Sequence, residues 1–531
     1  MTAQSWNLGC VGAQKMSVES QPASAKERTL FGHPIGLFIL FLTEMWERFS
    51  YYGMRSLLVL YMVDYLFLRP NVGREVLGFN AIKGALESVF GPLASQPLSS
   101  QIYGLYTAFV YLTPFFGGML ADKILGRRRA VILGAVLMAL GHFLMAIESA
   151  FFPALLLLIL GNGAFKPNIS TQVGGLYRQG DARRDRAFTI FYMGVNLGAF
   201  FSPLVCGTLG QTLGWHYGFG AAGVGMLLGL ALYLWGRRFL APEPVKPGIS
   251  PAKAVRSVAV YIIGVAVGLI ILIIGLPYLL SLMAVSFRTG LLVCAAVVSC
   301  VLFWRWMRSL PEEDRKSIWA LVILCALNIV FWGVYEQQGN TMQLWADRNT
   351  NWHFLGLNIP STWFQAFNPF IIFTMAPVLN IFWAWQAKRR TEPSSVVKMG
   401  LGCLLLGFSY VIMIIVSAGT GPDEQRSVLW LLSTTFVLTI GELYLSPVGL
   451  SFVTKVAPAR MVSMMMGVWY LSSFFGNYLS GFLGTFYDKM PKISFFLVLT
   501  ILGILAGLAI LALSRHINRI VAKHEQIDST V

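Results

Sequence analysis

Long apolar windows recur along almost the entire chain, and no other sequence feature constrains the fold so strongly. A helix needs about 20 apolar residues to cross the roughly 30 Å hydrocarbon core of a bilayer. Of the 531 residues, 56% are hydrophobic and 12% are charged, a composition outside that of soluble domains. The sequence therefore predicts an all-α membrane protein with fourteen transmembrane helices, at residues 36–66, 97–121, 129–148, 152–175, 187–212, 218–236, 257–284, 289–307, 317–340, 363–386, 397–418, 428–453, 461–486 and 493–514.

Lysine and arginine are distributed unevenly between the loops. If the N-terminus is cytoplasmic, the tails and loops on that side hold 29 of the 40 basic residues, the opposite loops hold 8 and the spans hold 3. Cytoplasmic loops of membrane proteins carry such an excess. We therefore expect an integral protein of a plasma membrane, the inner membrane of a bacterium, with both termini cytoplasmic. The net charge of +16 is spread over short loops, which argues against nucleic-acid binding.

The spacing of the cysteines does not suggest a set of disulfide bonds. Five of the six fall within predicted spans, Cys10 lies in the N-terminal tail, and none has metal-ligand spacing. We expect no disulfide bond, no metal and no cofactor.

A repeat relates the two ends of the chain. GNGAFKP at 161–167 resembles GELYLSP at 441–447, and MGVNLGAFFSP at 193–203 resembles MGVWYLSSFFGN at 466–477 with one insertion. Two six-helix halves in the same orientation are implied, the parallel repeat of major facilitator transporters. The predicted organisation is a cytoplasmic tail at 1–35, a six-helix bundle at 36–240, an inserted transmembrane helix pair with linkers at 241–310, a second bundle at 311–515 and a cytoplasmic tail at 516–531.

Polar residues of the first predicted span share one face. On a helix, Glu44, Glu47, Arg48, Tyr52 and Arg55 fall within an arc of about 140°. A charge at the centre of a membrane helix costs at least about 2.5 kcal/mol, so this face must meet a partner or water. Glu44 and Arg48 can form an ion pair, and the proximity of Glu47 raises the proton affinity of one carboxylate. The pattern predicts a proton carrier; the alternative is an ion network that only fixes helix packing.

Other predicted spans of both halves also carry polar residues. Lys166 precedes a proline in the fourth span, and Glu336 and Glu442 lie in the second half. For Lys166 and Glu336, a position at the membrane interface is the alternative. Basic groups in one half and acidic groups in the other suit a zwitterion held at both ends. Three uncharged residues serve either a ligand or hydrogen bonds between helices: Asn196, Asn368 and Ser473.

Several segments together carry a family resemblance. The first span contains E-x-x-E-R-F-x-Y-Y-G at 44–53, and further segments are GGMLADKILG at 117–126, GNGAFKPNIS at 161–170, FYMGVNLGAF at 191–200 and FWGVYEQQG at 331–339. Over about residues 36–515 the chain resembles the proton-coupled oligopeptide transporters of the major facilitator superfamily, and the inserted helix pair is similar to that of bacterial members. The resemblance implies import of di- and tripeptides with protons by alternating access.

The resemblance also implies roles for individual residues. Those expected to bind the peptide carboxylate are Arg48, Arg55 and Lys166, with Tyr52 and Tyr111 nearby. Those expected to bind the amino terminus are Asn196, Asn368 and Glu442, while Trp469 and Ser473 line the side-chain pocket and the lower cavity. The residues expected to take part in proton coupling are Glu44, Glu47, Arg48 and Glu336. The expected gates are Arg55 with Glu336 at the outer mouth, and Lys166 with Glu442 when no peptide is bound.

Other classes of function fit the sequence less well. A major facilitator transporter of another solute, such as a nitrate-like anion, a metabolite or a drug, is the main alternative. A drug exporter does not need opposite charges matched to a zwitterion. An enzyme is not expected, because no nucleophile, acid pair or metal site has usable spacing. We expect a monomer in the lipid bilayer.

Overall fold

Helices dominate the computed structural model, which describes residues 29–178, 181, 183–242, 251–354, 356–421, 424–458 and 461–528. Several predicted features lie outside the described residues: the tail segment 1–28 with Cys10, the linker segment 243–250, Arg460, and the terminal residues 529–531.

The part of the chain before the inserted pair begins with a short antiparallel hairpin, β1 (Thr29–Leu30) with β2 (His33–Pro34). Its helices are α1 (Ile35–Asp64), α2 (Val72–Glu75), α3 (Phe79–Phe90), α4 (Ser95–Leu120), α5 (Arg127–Leu144), α6 (Phe151–Gly175), α7 (Arg183–Ser202), α8 (Thr208–Thr212) and α9 (Trp215–Gly236). The inserted pair consists of α10 (Pro251–Ile270), a π turn (Ile271–Gly275), α11 (Leu276–Ser281) and α12 (Val285–Arg308).

The remaining part contains seven α-helices: α13 (Glu312–Tyr335), α14 (Thr341–Arg348), α15 (Phe367–Lys388), α16 (Ser395–Ala418), α17 (Val428–Val456), α18 (Val462–Gly484) and α19 (Lys492–Asp528). Two 3₁₀ segments join these helices, Glu336–Gly339 and Ser361–Ala366. Short strands pair β3 (Thr350–Asn351) in parallel with β6 (Arg426–Ser427), and β4 (His353–Phe354) antiparallel with β5 (Leu357–Asn358).

Among the described residues, eleven helical runs are long and apolar enough to cross a membrane. They match eleven of the predicted spans and include both inserted helices. Three further helices, α1, α5 and α18, occupy the other predicted spans with 30, 18 and 23 residues. The chain is therefore a helical integral membrane protein, and the count of fourteen spans stays a prediction.

Helices pack mainly within each half of the chain. In the first half, α1 lies against α7 and α9, and α6 lies against α4 and α5. In the second half, α16 lies against α17 and α19, and α13 lies against α18 and α19. Pro167 and Pro447, the prolines that the repeat aligns, both lie inside helices, α6 and α17. Each proline removes one backbone hydrogen bond and loosens its helix at the same point of the repeat.

The halves meet most closely where α4 crosses α18. A Cβ atom added at Gly104 would lie 2.5 Å from Cα of Gly481, a distance that real side chains do not adopt. Glycine on both sides lets the two backbones touch, as small residues do at helix interfaces in membranes. A second contact between the halves joins α7 and α15.

The inserted pair lies at the periphery of the described structure. The apolar window of α12 has no buried residues, and that of α10 is 11% buried. α10 is attached to the first half, where the Tyr261 hydroxyl donates to the Leu160 carbonyl of α6 at 2.9 Å. The amphipathic segment around Ile82–Phe90 lies in α3, which packs against α11.

Candidate functional site

The polar face of α1 forms a buried ion cluster near its middle. Arg48 Nε lies 3.1 Å from Glu44 Oε1 and also donates to Glu47. Glu47 is fully buried, and Asn162 of α6 donates to its other oxygen at 3.4 Å. Glu44 Oε2 and Arg48 Nη2 are buried without a hydrogen-bond partner among the described residues. Two carboxylates share one guanidinium in this cluster, so one negative charge is left over when both are ionised. Glu44 Oε2 can still accept a hydrogen bond or a proton, and Arg48 Nη2 can still donate.

A second ion pair joins the two halves of the chain. Arg55, two turns further along α1, contacts Glu336 at the C-terminal end of α13; the Glu336 side chain is buried and the Arg55 side chain is 11% exposed. Arg55 Nε also donates to the Tyr103 hydroxyl at 2.8 Å. The predicted pair of Arg55 and Glu336 is thus in contact in this structure. Because one partner comes from each half, the halves cannot separate here without breaking it.

Additional polar contacts surround this pair. Ser100 Oγ donates to Asn340 Oδ1 at 2.8 Å, and Gln96 Nε2 donates to the Gly484 carbonyl at 3.0 Å. Arg348, at the end of α14, lies 3.2 Å from Asp64 of α1. Further bonds join Gln211 and Thr208 to the 361–363 turn. Among pairs of described residues, the side-chain hydrogen bonds and ion pairs between the halves all lie at this end of the molecule, which we call the Glu336 end.

A cavity of about 180 Å³ lies between the halves beside the Arg55–Glu336 pair. Seven of the predicted site residues line it: Tyr52, Arg55, Tyr111, Asn196, Glu336, Asn368 and Glu442. Both halves contribute to the wall, and the cavity has cationic and anionic groups at once.

Glu442 is held in place by two donors. The Tyr335 hydroxyl donates to Glu442 Oε2 at 2.7 Å, and Asn368 Nδ2 donates to the same oxygen at 2.9 Å. Asn368 Nδ2 also lies 3.0 Å from Thr439 Oγ1. The carboxylate is fixed against the cavity wall, with its second oxygen outside these bonds.

Lys166 lies apart from Glu442 in this structure. Its Nζ atom is 4.5 Å from the ring centroid of Tyr111, in a cation–π contact. Glu442 is instead bonded by Tyr335 and Asn368, and the ion pairs between described residues do not include Lys166 with Glu442. The expected inner pair is therefore not formed in this conformation. Lys166 itself does not line the cavity, but Tyr111, whose ring it contacts, does.

Two other expected site residues lie away from the cavity. Trp469 is buried, and its indole lies against Gly449, where an added Cβ would be 2.4 Å from the ring. Ser473 is also buried, one turn further along α18. Neither is among the residues that line the cavity, so their contact with a ligand stays a prediction.

Ten residues that line the cavity were missing from the predicted site: Tyr192, Val195, Ala199, Trp332, Tyr335, Gln338, Gln365, Pro369, Ile372 and Ser446. Tyr192 lies one turn before Asn196, and Trp332 one turn before Glu336, within segments already singled out. A search at i ± 3 and i ± 4 from each predicted residue finds both of these. Gln365 lies three residues before Asn368, in a 3₁₀ segment where side chains three apart also share a face, so the same search finds it.

Metal chemistry has no basis in the described residues, where no group of three or more His, Cys, Asp or Glu side chains is suited to hold an ion. The five described cysteines are free thiols.

Comparison with known proteins gives one consistent result. A family model described as the POT family matches residues 128–501. A di-/tripeptide transporter of Lactococcus lactis subsp. cremoris is 35% identical over 515 residues, which cover 94% of this chain and 99% of that protein. A solved peptide transporter POT in complex with sulfate has a TM-score of 0.76 and 34% identity, covering 93% and 97% of the two chains. A POT family transporter in complex with 5-aminolevulinic acid has a TM-score of 0.74 and 31% identity, covering 92% and 98%.

Two helical bundles with a charged cavity between them, in a chain built of apolar helices, define a membrane transporter. The family match covers most of the chain, and several relatives exceed 30% identity over almost its full length. The chain belongs to the POT family, as its sequence resemblance predicted.

Proposed function

We propose that the protein is a proton-coupled symporter that imports di- and tripeptides by alternating access. One observation carries the proposal: a cavity between the halves is lined by Arg55 and by the fixed carboxylate of Glu442. A peptide is a zwitterion with a carboxylate and an ammonium group at its ends. Opposite charges in one low-dielectric cavity favour such a molecule over a plain anion or cation. Relatives named as di-/tripeptide transporters support the same substrate class.

We assign the residues to the roles that the sequence suggested. In this scheme Arg48, Arg55 and Lys166, with Tyr52 and Tyr111, receive the peptide carboxylate. Asn196, Asn368 and Glu442 receive the amino terminus, and Trp469 and Ser473 take part in side-chain recognition. The proton-coupled groups are Glu44, Glu47, Arg48 and Glu336.

The proposed architecture follows the parallel repeat, with bundles at 36–240 and 311–515 and both tails cytoplasmic. In that topology the Glu336 end faces outward, and the contacts described above are those of an outward-closed state. Protonation of Glu336 neutralises one member of the pair with Arg55 and weakens this closure. A peptide carboxylate that attracts Lys166 keeps it from pairing with Glu442. Each ligand then favours one conformation through contacts made only there.

The direct test is uptake of labelled dialanine into proteoliposomes that contain the purified protein, under an inside-negative potential at acidic and at alkaline external pH. We expect accumulation that grows with acidity, collapses with a protonophore and is not competed by free alanine. Absence of uptake by protein that remains folded and monodisperse would overturn the peptide assignment.

A second candidate substrate is another zwitterion, because one structural neighbour is a POT family transporter in complex with 5-aminolevulinic acid. This molecule also carries an amino and a carboxylate group. Labelled 5-aminolevulinic acid in the same vesicles separates the two candidates: uptake of it without uptake of dialanine identifies a transporter of single amino acids.

A further inference from the structure

A second cavity, outside the transport site, runs between the inserted pair and the first half. It is a groove of about 950 Å³ between α4 and α10. Beside the groove, the hydrogen bond from Tyr261 holds α10 against α6. The groove therefore lies next to a contact between these two helices. No residue of the α1 ion cluster lines the groove, and the groove shares no lining residue with the cavity beside Glu336.

The groove is charged at one end and apolar along the rest of its length. The charged residues among those that line it are Lys123, Lys253 and Arg256, all exposed and all basic. Lys123 lies in the π turn after α4, and the other two lie in the first two turns of α10. These elements meet at the same end of the molecule, so the three positive charges converge on one mouth of the groove.

Beyond this mouth, α10 and the π turn that follows it line the groove at every fourth residue. The series starts at Arg256 and continues through Val260, Gly264, Gly268 and Leu272. At 1.5 Å per residue, the run from Arg256 to Leu272 is about 24 Å long. One leaflet of the hydrocarbon core is about 15 Å thick, so an acyl chain that starts at the basic mouth fits alongside.

The two glycines of this series are not required by packing within the protein. A Cβ atom added at Gly264 or Gly268 would meet nothing within 4 Å. Facing them across the groove, α4 contributes apolar side chains that include Leu112 and Phe116. The surface is therefore an open apolar slot at membrane depth, and it continues at Leu269 into a second, entirely apolar cavity.

We propose that this groove binds an anionic phospholipid. The phosphate and acidic headgroup contact Lys123, Lys253 and Arg256, and an acyl chain lies along the glycine face of α10. A basic mouth selects an anionic headgroup over a zwitterionic one, and an apolar slot of leaflet length excludes a free phosphate as the ligand. The inserted pair thereby forms one wall of a lipid site on α4, the helix that crosses α18 between the halves.

Native mass spectrometry of the delipidated full-length protein tests the proposal. Phosphatidylglycerol and phosphatidylcholine with identical chains are titrated separately, and bound lipid is counted. We expect one phosphatidylglycerol site that the phosphatidylcholine titration lacks. The double variant Lys123→Gln/Arg256→Gln should weaken it about 10- to 30-fold. Gly264→Leu/Gly268→Leu should block it by filling the slot.

Matched variants separate the groove from the rest of the surface. Arg305→Gln/Lys388→Gln removes two exposed positive charges outside the groove, and Gly290→Leu fills open space on α12. Both should bind phosphatidylglycerol like the unmodified protein. Equal affinity for the two lipids, competition by inorganic phosphate, or equal losses in the groove and control variants would each overturn the proposal. Lipid binding is measured without transport, so failure of the peptide assignment leaves this test unaffected.

Discussion

Glu336 is the residue at which a single proton has the largest structural consequence. Its carboxylate is buried against Arg55, and the pair joins the two halves. Breaking a buried ion pair typically costs about 3–5 kcal/mol, enough to shift a two-state equilibrium. Glu336→Gln removes the carboxylate that a proton can neutralise but keeps the shape of the side chain. We expect this variant to lose gradient-driven accumulation of dialanine and to retain peptide counterflow. Full accumulation by the variant would contradict the role of Glu336.

Asp181 provides the matched control for this pH dependence. It lies outside the membrane-spanning segments, where hydrogen bonds from the Arg183 side chain lower the pKa of its carboxyl to about 2. The group therefore stays ionised at every pH at which uptake is measured, and its depressed pKa matters only in strong acid. Asp181→Asn should leave the pH profile of uptake unchanged. A profile that moves would mean that proton coupling involves groups outside the membrane-spanning segments.

Tyr335 positions the Glu442 carboxylate. Its hydroxyl donates to Glu442 at 2.7 Å. Hydrogen bonds to charged groups contribute roughly 1.5–3 kcal/mol, so Tyr335→Phe should raise the KM for dialanine by about tenfold or more. The maximal rate should change much less, because Asn368 still holds the carboxylate. Tyr278→Phe, which removes an exposed hydroxyl from the inserted pair, is the control. An unchanged KM in Tyr335→Phe would show that Glu442 needs no positioning by this hydroxyl.

Individual charges were predictable because a buried charge is costly in a membrane. Glu44, Arg55 and Glu336 stand out in apolar sequence; Glu44 and Glu336 are buried in the structure, and the side chain of Arg55 is 11% exposed. Their exact partners were less predictable: Lys166 lies over Tyr111 and not beside Glu442. Which pair forms depends on the conformation, and one sequence encodes every conformation of the transport cycle.

At the scale of helices, the crossing of α4 and α18 controls how closely the halves approach. An alanine Cβ at position 104 would lie 2.5 Å from Gly481 Cα, so the helices must move apart. Overpacking of this kind costs roughly 1–3 kcal/mol in the conformation where the contact exists. Gly104→Ala should therefore increase the population that is open at the Glu336 end. Spin labels at Arg74→Cys and Lys489→Cys, in a background without native cysteines, measure that opening.

Gly220 offers the control substitution for this crossing. It lies within α9, and an added Cβ there meets nothing within 4 Å. Gly220→Ala should leave the label distance unchanged, since alanine only improves helix propensity at an open position. Identical distance distributions for Gly104→Ala and the unmodified protein would mean that the crossing does not limit opening.

Helix positions followed from apolar length, whereas contacts between helices did not. Each predicted span overlaps a described helix, and the amphipathic run near Ile82 forms α3. The sequence pattern gave no signal for the approach of Gly104 to Gly481, because these residues are separated by most of the chain. Nor did it indicate that α3 packs against the inserted pair. The periodicity of hydrophobic residues shows which face of a helix is buried, but it does not identify the helix that packs against that face.

In the molecule as a whole, the described polar contacts between the halves are distributed unequally between its two ends. Described polar contacts between the halves concentrate at the Glu336 end, and the pair of Lys166 and Glu442 is not formed. Alternating access requires a second state in which this asymmetry is reversed. A transporter closed at both ends cannot exchange substrate, and one open at both ends dissipates the gradient, so the two ends must be coupled with opposite sign.

Two label pairs in the same background test this coupling. The pair at positions 74 and 489 reports the Glu336 end, and a pair at Arg129 and Lys455, both exposed, reports the opposite end. Proteoliposomes are measured with dialanine at acidic pH and with free alanine as control. We expect dialanine to lengthen the first distance and shorten the second in the same fraction of molecules, because one equilibrium governs both ends. Free alanine should change neither. A change at one end without its opposite at the other would exclude alternating access between these two states.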